Sequence, residues 1–147
     1  PPPGAEAPPE PEDPRLLAAE DALERADFEE AAATYQQILD AEPAHPIAAD
    51  ALRQVRLMQR IERLPPDAVA RADAAPHDLA AQCDAADLEV AEGRSERAFA
   101  RLIDVVRRSA GEDRDIARAR LVELFAVVSA DDPAVVAARR DLTNALF

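Results

Sequence analysis

Small residues recur at fixed intervals in two stretches of this chain, and these intervals constrain the fold more than any other feature. Ala31 has Ala19 twelve residues before it, Tyr35 four residues after it and Pro43 twelve residues after it. The same intervals recur 67 residues later in Ala86, Ala98, Leu102 and Ala110. Two helices approach closely where both carry a small side chain, and a large residue one turn on fills the gap beside the crossing. The spacing therefore predicts paired, closely packed helices.

Capping residues and helical periodicity divide the chain into short helices. Asp13–Pro14 and Asp132–Pro133 each place a carboxylate cap before a proline at the first helical position. Eight helices are predicted. In chain order, the first starts at Pro14, the second covers 28–41, the third starts at Pro46, and the others cover 67–74, 78–91, 96–108, 116–128 and 133–147. We expect Asp27 and Ser95 to cap their helices and 109–115 to form a loop. Because no stretch alternates with a period of two, the predicted fold class is all-α.

Composition supports helices and excludes several kinds of partner. Alanine accounts for 35 of the 147 residues, and aromatic residues for 3%. A net charge of −13 repels phosphates, so we expect neither nucleic acid nor anionic membranes as partners. No apolar run approaches the roughly 18 residues of a membrane span, and no signal peptide opens the chain. A single cysteine excludes an internal disulfide and fits a reducing compartment, so the predicted localisation is cytoplasmic.

The small–small–large–proline pattern resembles the tetratricopeptide repeat, a helix–turn–helix unit of about 34 residues. This resemblance implies a right-handed helical solenoid with a degenerate middle repeat and a C-terminal helix that caps the array or docks on a partner. The predicted units cover 12–45, 46–78 and 79–112, followed by a final helix pair at 113–147. Residues 1–12, rich in proline and glutamate, are predicted to be a linker before a helical domain at 13–147.

The second half of the chain resembles the C-terminal region of the bacterial chaperedoxins. The matching features are the Leu-Val-Glu-Leu-Phe run at 121–125, Asp-Asp-Pro at 131–133, Arg139–Arg140 and the final Ala-Leu-Phe at 145–147. Chaperedoxins join a thioredoxin-like domain to a tetratricopeptide-like domain and act as holdase co-chaperones. The resemblance implies unfolded clients and a chaperonin as partners, and a thioredoxin-like domain upstream of Pro1. Any redox activity would belong to that upstream domain.

No residue pattern in the chain predicts catalysis. Cys83 has no second cysteine nearby, and the carboxylates Asp78, Asp84 and Asp87 should raise the pKa of its thiol. We therefore expect Cys83 to be a small packing residue of its helix. A redox function, with the thiol facing the groove of the repeat array, is the alternative. His45 and His77 each lie beside a proline at a helix boundary, as caps or loop residues do. With no nucleophile–base pair and no glycine-rich phosphate loop, we expect no enzyme activity, metal or cofactor.

Two surfaces are candidates for partner binding. On the last helix, Leu142, Leu146 and Phe147 are predicted anchors in an apolar pocket of the chaperonin, while the alternative is a helix that only seals the repeat array. On the first helix, Leu16 and Leu23 are the candidates. Glu20 and Glu24 lie with Leu16 on the face of this helix that would line the groove of the repeat array. There the two carboxylates would repel a carboxylate ligand and favour a basic or apolar one. A second function stays open: a scaffold for one partner or for self-association.

Overall fold

In the computed structural model, which describes residues 3, 4 and 12–147, every regular element is a helix. The eight helices of these residues are α1 (Pro14–Glu24), α2 (Phe28–Ala41), α3 (Pro46–Glu62), α4 (Ala68–Ala74), α5 (Leu79–Ala91), α6 (Ser95–Arg108), α7 (Gly111–Val128) and α8 (Pro133–Leu146). The predicted all-α fold class is confirmed. The predicted linker lies outside the described residues except for residues 3, 4 and 12.

Aspartate caps begin four of these eight helices, as the sequence predicts. The Asp13, Asp27, Asp78 and Asp132 carboxylates accept hydrogen bonds from backbone N–H groups of the first turn at 2.9–3.1 Å. At the start of α3 the His45 ring Nδ1 accepts from the Ala48 N–H at 3.2 Å, so His45 is a cap. Each cap satisfies a backbone donor that has no partner within its helix.

Two local predictions are wrong. Ser95 is the first residue of α6, and Arg94 precedes it without a side-chain capping bond. The expected loop at 109–115 is mostly helix, because α7 begins at Gly111. Glu112 and Asp113 place negative charge in its first turn, where the helix dipole favours it, and the Arg114 side chain donates to the Ser109 carbonyl at 2.9 Å.

The chain divides into two compact units, Pro1–Leu52 and Arg53–Phe147, with the boundary inside α3. In the first unit α1 and α2 form a hairpin. Ala19 and Ala31 are fully buried and Tyr35 is 4% exposed. Pro43 is exposed just beyond the end of α2, where it ends the helix and takes no part in the packing of the hairpin.

The second unit contains the larger core. α5 and α6 form a hairpin in which Ala86, Ala98 and Leu102 are fully buried. α4 packs on α5, and α7 packs on α6 and α5. Phe99 and Phe125 meet edge to face with ring centroids 4.9 Å apart. α8 packs mainly against α6, so the final pair predicted at 113–147 is not a simple hairpin of α7 with α8.

The two hairpins turn in the same way at positions 67 residues apart. After α1, the Asp27 N–H donates to the Ala22 carbonyl and the Ala26 N–H to the Leu23 carbonyl. After α5, Arg94 and Gly93 make the same two bonds to Glu89 and Val90. Both turns are Schellman motifs with a left-handed residue, Ala26 (φ 56°) or Gly93 (φ 79°). The equivalent turns indicate that α1–α2 and α5–α6 are copies of one structural repeat.

Candidate interaction surfaces

The last helix, α8, has one face in the core and another in solvent. Val135 and Leu142 are 0% and 7% exposed and belong to the core of the second unit, which corrects the assignment of Leu142 to a partner surface. Leu146 is half-buried against the same core. Val136 and Phe147 are 49% and 101% exposed. Capping and docking would therefore use different faces of α8.

A groove of about 270 Å³ lies between α6 and α8. Phe99 and Ile103 contribute apolar atoms to it, and Glu96, Arg107 and Asp141 line it with charge. Its volume is below the range of typical small-molecule sites, about 300–1,000 Å³. The groove has room for one or two side chains.

A second concavity, of about 400 Å³, lies among α4, α5 and α6 and has Arg101 in its lining. The Arg101 guanidinium donates to the buried Glu89 carboxylate at 2.7 Å, to the Gln82 amide oxygen at 2.9 Å and to Asp73 at 2.8 Å. The Gln82 amide nitrogen donates in turn to the Ala72 carbonyl at 2.8 Å, near the end of α4. Because these groups satisfy one another's hydrogen bonds, the network holds α4, α5 and α6 together. The Arg101 guanidinium is already paired within the chain.

A second ion cluster joins α3, α5 and α7. Asp87 on α5 is fully buried, and its carboxylate accepts from Arg60 of α3 at 2.7 and 3.2 Å and from Arg120 of α7 at 2.7 Å. Glu123 accepts from Arg60 at 3.0 Å. Burial raises the pKa of the Asp87 carboxyl, and the Arg60 hydrogen bond and the Arg120 charge oppose that rise. We refer to Arg60, Asp87, Arg120 and Glu123 as the Asp87 cluster.

Cys83 lies in the core beside this cluster and not in a groove. It is 4% exposed, and burial raises the pKa of its thiol, assisted by the charges of Asp87 and Asp84 and opposed by that of Arg120. The expected direction of the pKa shift is confirmed, but its main cause is burial. A buried thiol with a raised pKa is a poor nucleophile.

The first helix presents an apolar and acidic surface. Leu16 and Leu23 are half-buried, Leu17 is 39% exposed, and Glu20 and Glu24 are exposed. Burial raises the pKa of the Tyr35 hydroxyl, and the nearby Glu20 carboxylate raises it further. The two leucines chosen from the sequence therefore border solvent, and their binding of a partner stays a prediction.

Sequence reasoning did not find the residues of the two ion clusters. Arg60 and Arg120 lie 27 and 33 residues from Asp87, so only the packing of three helices brings them together. One signal was present in the repeat register. Asp87 and Glu89 stand among the small residues of the alanine-rich helix α5, where a buried carboxylate is costly unless it is paired. The 17 arginines offered many candidates and no means of choosing among them.

Comparison with known proteins identifies the fold family. The family model for the tetratricopeptide repeat matches residues 65–147, more than half of the chain. The chain belongs to the tetratricopeptide repeat family. Repeats of this kind stack helix pairs and present extended surfaces that bind other proteins. The tetratricopeptide repeat fold accounts for the alanine crossings of α5 and α6, and nothing in it indicates enzyme activity.

Relatives of this tetratricopeptide repeat chain occur in mycobacteria. It is 44% identical over 135 residues to an uncharacterized protein of Mycobacterium bovis and to uncharacterized proteins of two strains of Mycobacterium tuberculosis. The match covers 92% of this chain and 44% of each relative, so the chain spans less than half the length of these proteins. No solved structure matches it.

Three further observations concern the residues that the structure describes. Among them, no three histidine, cysteine, aspartate or glutamate side chains lie together as ligands for a metal ion. No helix in this part of the chain is long and apolar enough to cross a membrane. His77, placed by the sequence in a loop, lies in the turn before α5, where its Nδ1 is 3.2 Å from an Arg108 nitrogen.

Proposed function

We propose that this tetratricopeptide repeat domain is the helical part of a chaperedoxin-like co-chaperone, which binds unfolded clients and docks on a chaperonin through the outer face of α8. The repeat fold supports a protein–protein interaction module. The resemblance at 121–125, 131–133 and 145–147 supports the co-chaperone class. The proposal extends to an upstream thioredoxin-like domain in the longer protein.

The observation that carries the docking step is the division of α8 into two faces. Val135, Ala138 and Leu142 pack in the core, so the helix is held rigidly, while Val136 and Phe147 remain exposed. A rigid helix that presents apolar side chains loses little conformational entropy when it enters a pocket of another protein. Exposed aromatic residues are frequent anchors of such contacts.

The test is capture of purified chaperonin by the full chain and by two matched variants. Removing α8 would expose the core that Val135 covers, so point substitutions are preferable to truncation. Val136→Asp changes the outer face of α8, and Val122→Asp changes an equally exposed valine, 49% in both cases, on α7. We expect Val136→Asp to weaken capture about tenfold or more and Val122→Asp to leave it unchanged.

The client-binding step is tested by light scattering from a chemically denatured protein as it aggregates. The purified chain should slow aggregation in proportion to its concentration. If the chain neither slows aggregation nor captures chaperonin, the co-chaperone assignment is wrong for this domain. Saturable binding of one other protein, held equally by both valine variants, would instead make the domain a scaffold whose α8 only caps the repeats.

A further inference from the structure

The repeat relationship between α1 and α5 identifies equivalent residues on their faces. With a shift of 67 residues, Leu16 corresponds to Cys83, Glu20 to Asp87 and Leu23 to Val90. Their common register is fixed by the equivalent Schellman turns after the two helices and by the buried alanines Ala19 and Ala86. The environment of a residue on α5 therefore shows what the corresponding face of α1 is shaped to contact.

On α5 this face is covered by neighbouring helices of the second unit. Cys83 is buried in the core and Val90 packs against it. Asp87 between them accepts three hydrogen bonds from arginines, two from Arg60 of α3 and one from Arg120 of α7. In this repeat the central carboxylate is thus an arginine-binding position framed by apolar side chains. Arginine suits it because its planar guanidinium binds a carboxylate through two parallel hydrogen bonds.

On α1 the same face is open. Leu16 and Leu23 are half-buried, and Leu17 beside them is 39% exposed. The Glu20 carboxylate is exposed and has no ion pair or hydrogen bond to any residue that the structure describes. The apolar frame and the carboxylate of α5 are therefore both present on α1, but no arginine that the structure describes pairs with Glu20.

The charge of the first unit indicates the missing group. Residues 1–52 contain 13 of the 30 carboxylates but two of the 17 arginines, which gives a net charge of −11. Both arginines are already engaged: Arg15 contacts Asp13 and Glu42 at 2.8 and 2.9 Å, and Arg25 contacts Glu30 at 2.7 Å. A second copy of so acidic a unit would be repelled, and so would a nucleic acid.

We propose that the exposed face of α1, formed by Leu16, Leu17, Glu20, Leu23 and Glu24, binds a segment of unfolded polypeptide that carries arginine among apolar residues. The arginine occupies the position at Glu20 that Arg60 and Arg120 occupy at Asp87, and the apolar residues pack on the leucines. The inference rests on the proposed client-binding function. It adds the chemical class of the segment that is bound and the place where it binds.

The test measures binding of a short fluorescein-labelled peptide of leucine and arginine to the full chain by fluorescence anisotropy. Glu20→Gln removes the central carboxylate, and Glu29→Gln removes one exposed carboxylate of the same unit from α2, so both variants change the net charge equally. We expect Glu20→Gln to weaken binding about fivefold or more and Glu29→Gln by less than about twofold. Replacing arginine by lysine in the peptide should also weaken binding, because lysine lacks the bidentate geometry.

A second pair of variants tests the apolar contact. Leu17→Ser should weaken peptide binding, while Ile47→Ser, at a residue 59% exposed on α3, should not. Equal effects of Glu20→Gln and Glu29→Gln, or no effect of either, would overturn the proposal in favour of diffuse charge attraction or no binding at this face. Capture of chaperonin should be the same for Glu20→Gln as for the unchanged chain. If Glu20→Gln loses peptide binding but still captures chaperonin normally, the defect lies at the α1 face and not in the proposed docking of α8.

Discussion

Replacing Asp87 by asparagine should destabilise the second unit more than any surface substitution. The carboxylate is fully buried, and its Oδ2 accepts from both Arg60 and Arg120 while its Oδ1 accepts a second bond from Arg60. An asparagine amide carries no negative charge, and with its oxygen at the Oδ2 position its nitrogen would face the Arg60 donor at the Oδ1 position. Removing one partner of a buried ion pair costs about 3–5 kcal/mol. Here Arg60 and Arg120 are 24% and 23% exposed, and Glu123 stays within 4 Å of both, so the expected cost is lower, roughly 2–4 kcal/mol.

Urea unfolding followed by far-ultraviolet circular dichroism measures this cost, with Glu92→Gln as the control. Glu92 pairs with Arg94 at 3.8 Å, and both side chains are about half exposed, so its loss should cost less than about 1 kcal/mol. The chain has one tyrosine, Tyr35, and no tryptophan, so its fluorescence reports on the first unit alone. If Asp87→Asn and Glu92→Gln had similar free energies of unfolding, the Asp87 cluster would not hold α3, α5 and α7 together.

Three further predictions concern single residues. Ala26→Gly should raise the free energy of unfolding in urea by about 0.5–1 kcal/mol, because Ala26 occupies the left-handed position that Gly93 fills in the other hairpin. An unchanged free energy of unfolding would contradict this account of the turn. Cys83 should react with a thiol reagent much more slowly in the native chain than in urea, since it is buried and its pKa is raised; equal rates would place it at the surface. Hydrogen bonds from Arg15 lower the pKa of Asp13 from 3.8 to about 2. The stabilisation from this carboxylate should therefore be complete above pH 4 and decline as the pH falls toward 2. An NMR titration of Asp13 with a midpoint near 3.8 would refute this prediction.

The predictable part of the fold is the part encoded by neighbouring residues. The sequence predicts α2 at 28–41, and the structure has it at Phe28–Ala41, because an aspartate cap, an alanine-rich run and a following proline all act within a few residues of the helix. The sequence predicts that α7 begins at Ile116, because the acidic first turn of this helix resembles a polar loop. The helix dipole makes the same residues favourable in a first turn, so an acidic run before an apolar one does not by itself indicate a loop.

The candidate site was less predictable, because it depends on which helices meet. The sequence places Leu142 on an apolar side of α8, and only the packing of α8 against α6 shows that this side is the core and that Val136 lies opposite. The Asp87 cluster required contacts across 27 and 33 residues. Helical periodicity thus identifies two faces of a helix, but the neighbouring helices decide which face remains for a partner.

The contrast between Asp87 and Glu20 shows how one repeat position serves two purposes. An alanine crossing contributes little transfer free energy, so a repeat built on alanine gains from polar contacts that fix one helix against the next. In the second unit the arginines of α3 and α7 make those contacts, and the carboxylate becomes part of the core. In the first unit the carboxylates exceed the arginines by 11, so no internal rearrangement of this unit neutralises them all. The equivalent carboxylate is thus buried in one repeat and exposed in the other, and the arginine of the proposed client segment is the group that would pair with it.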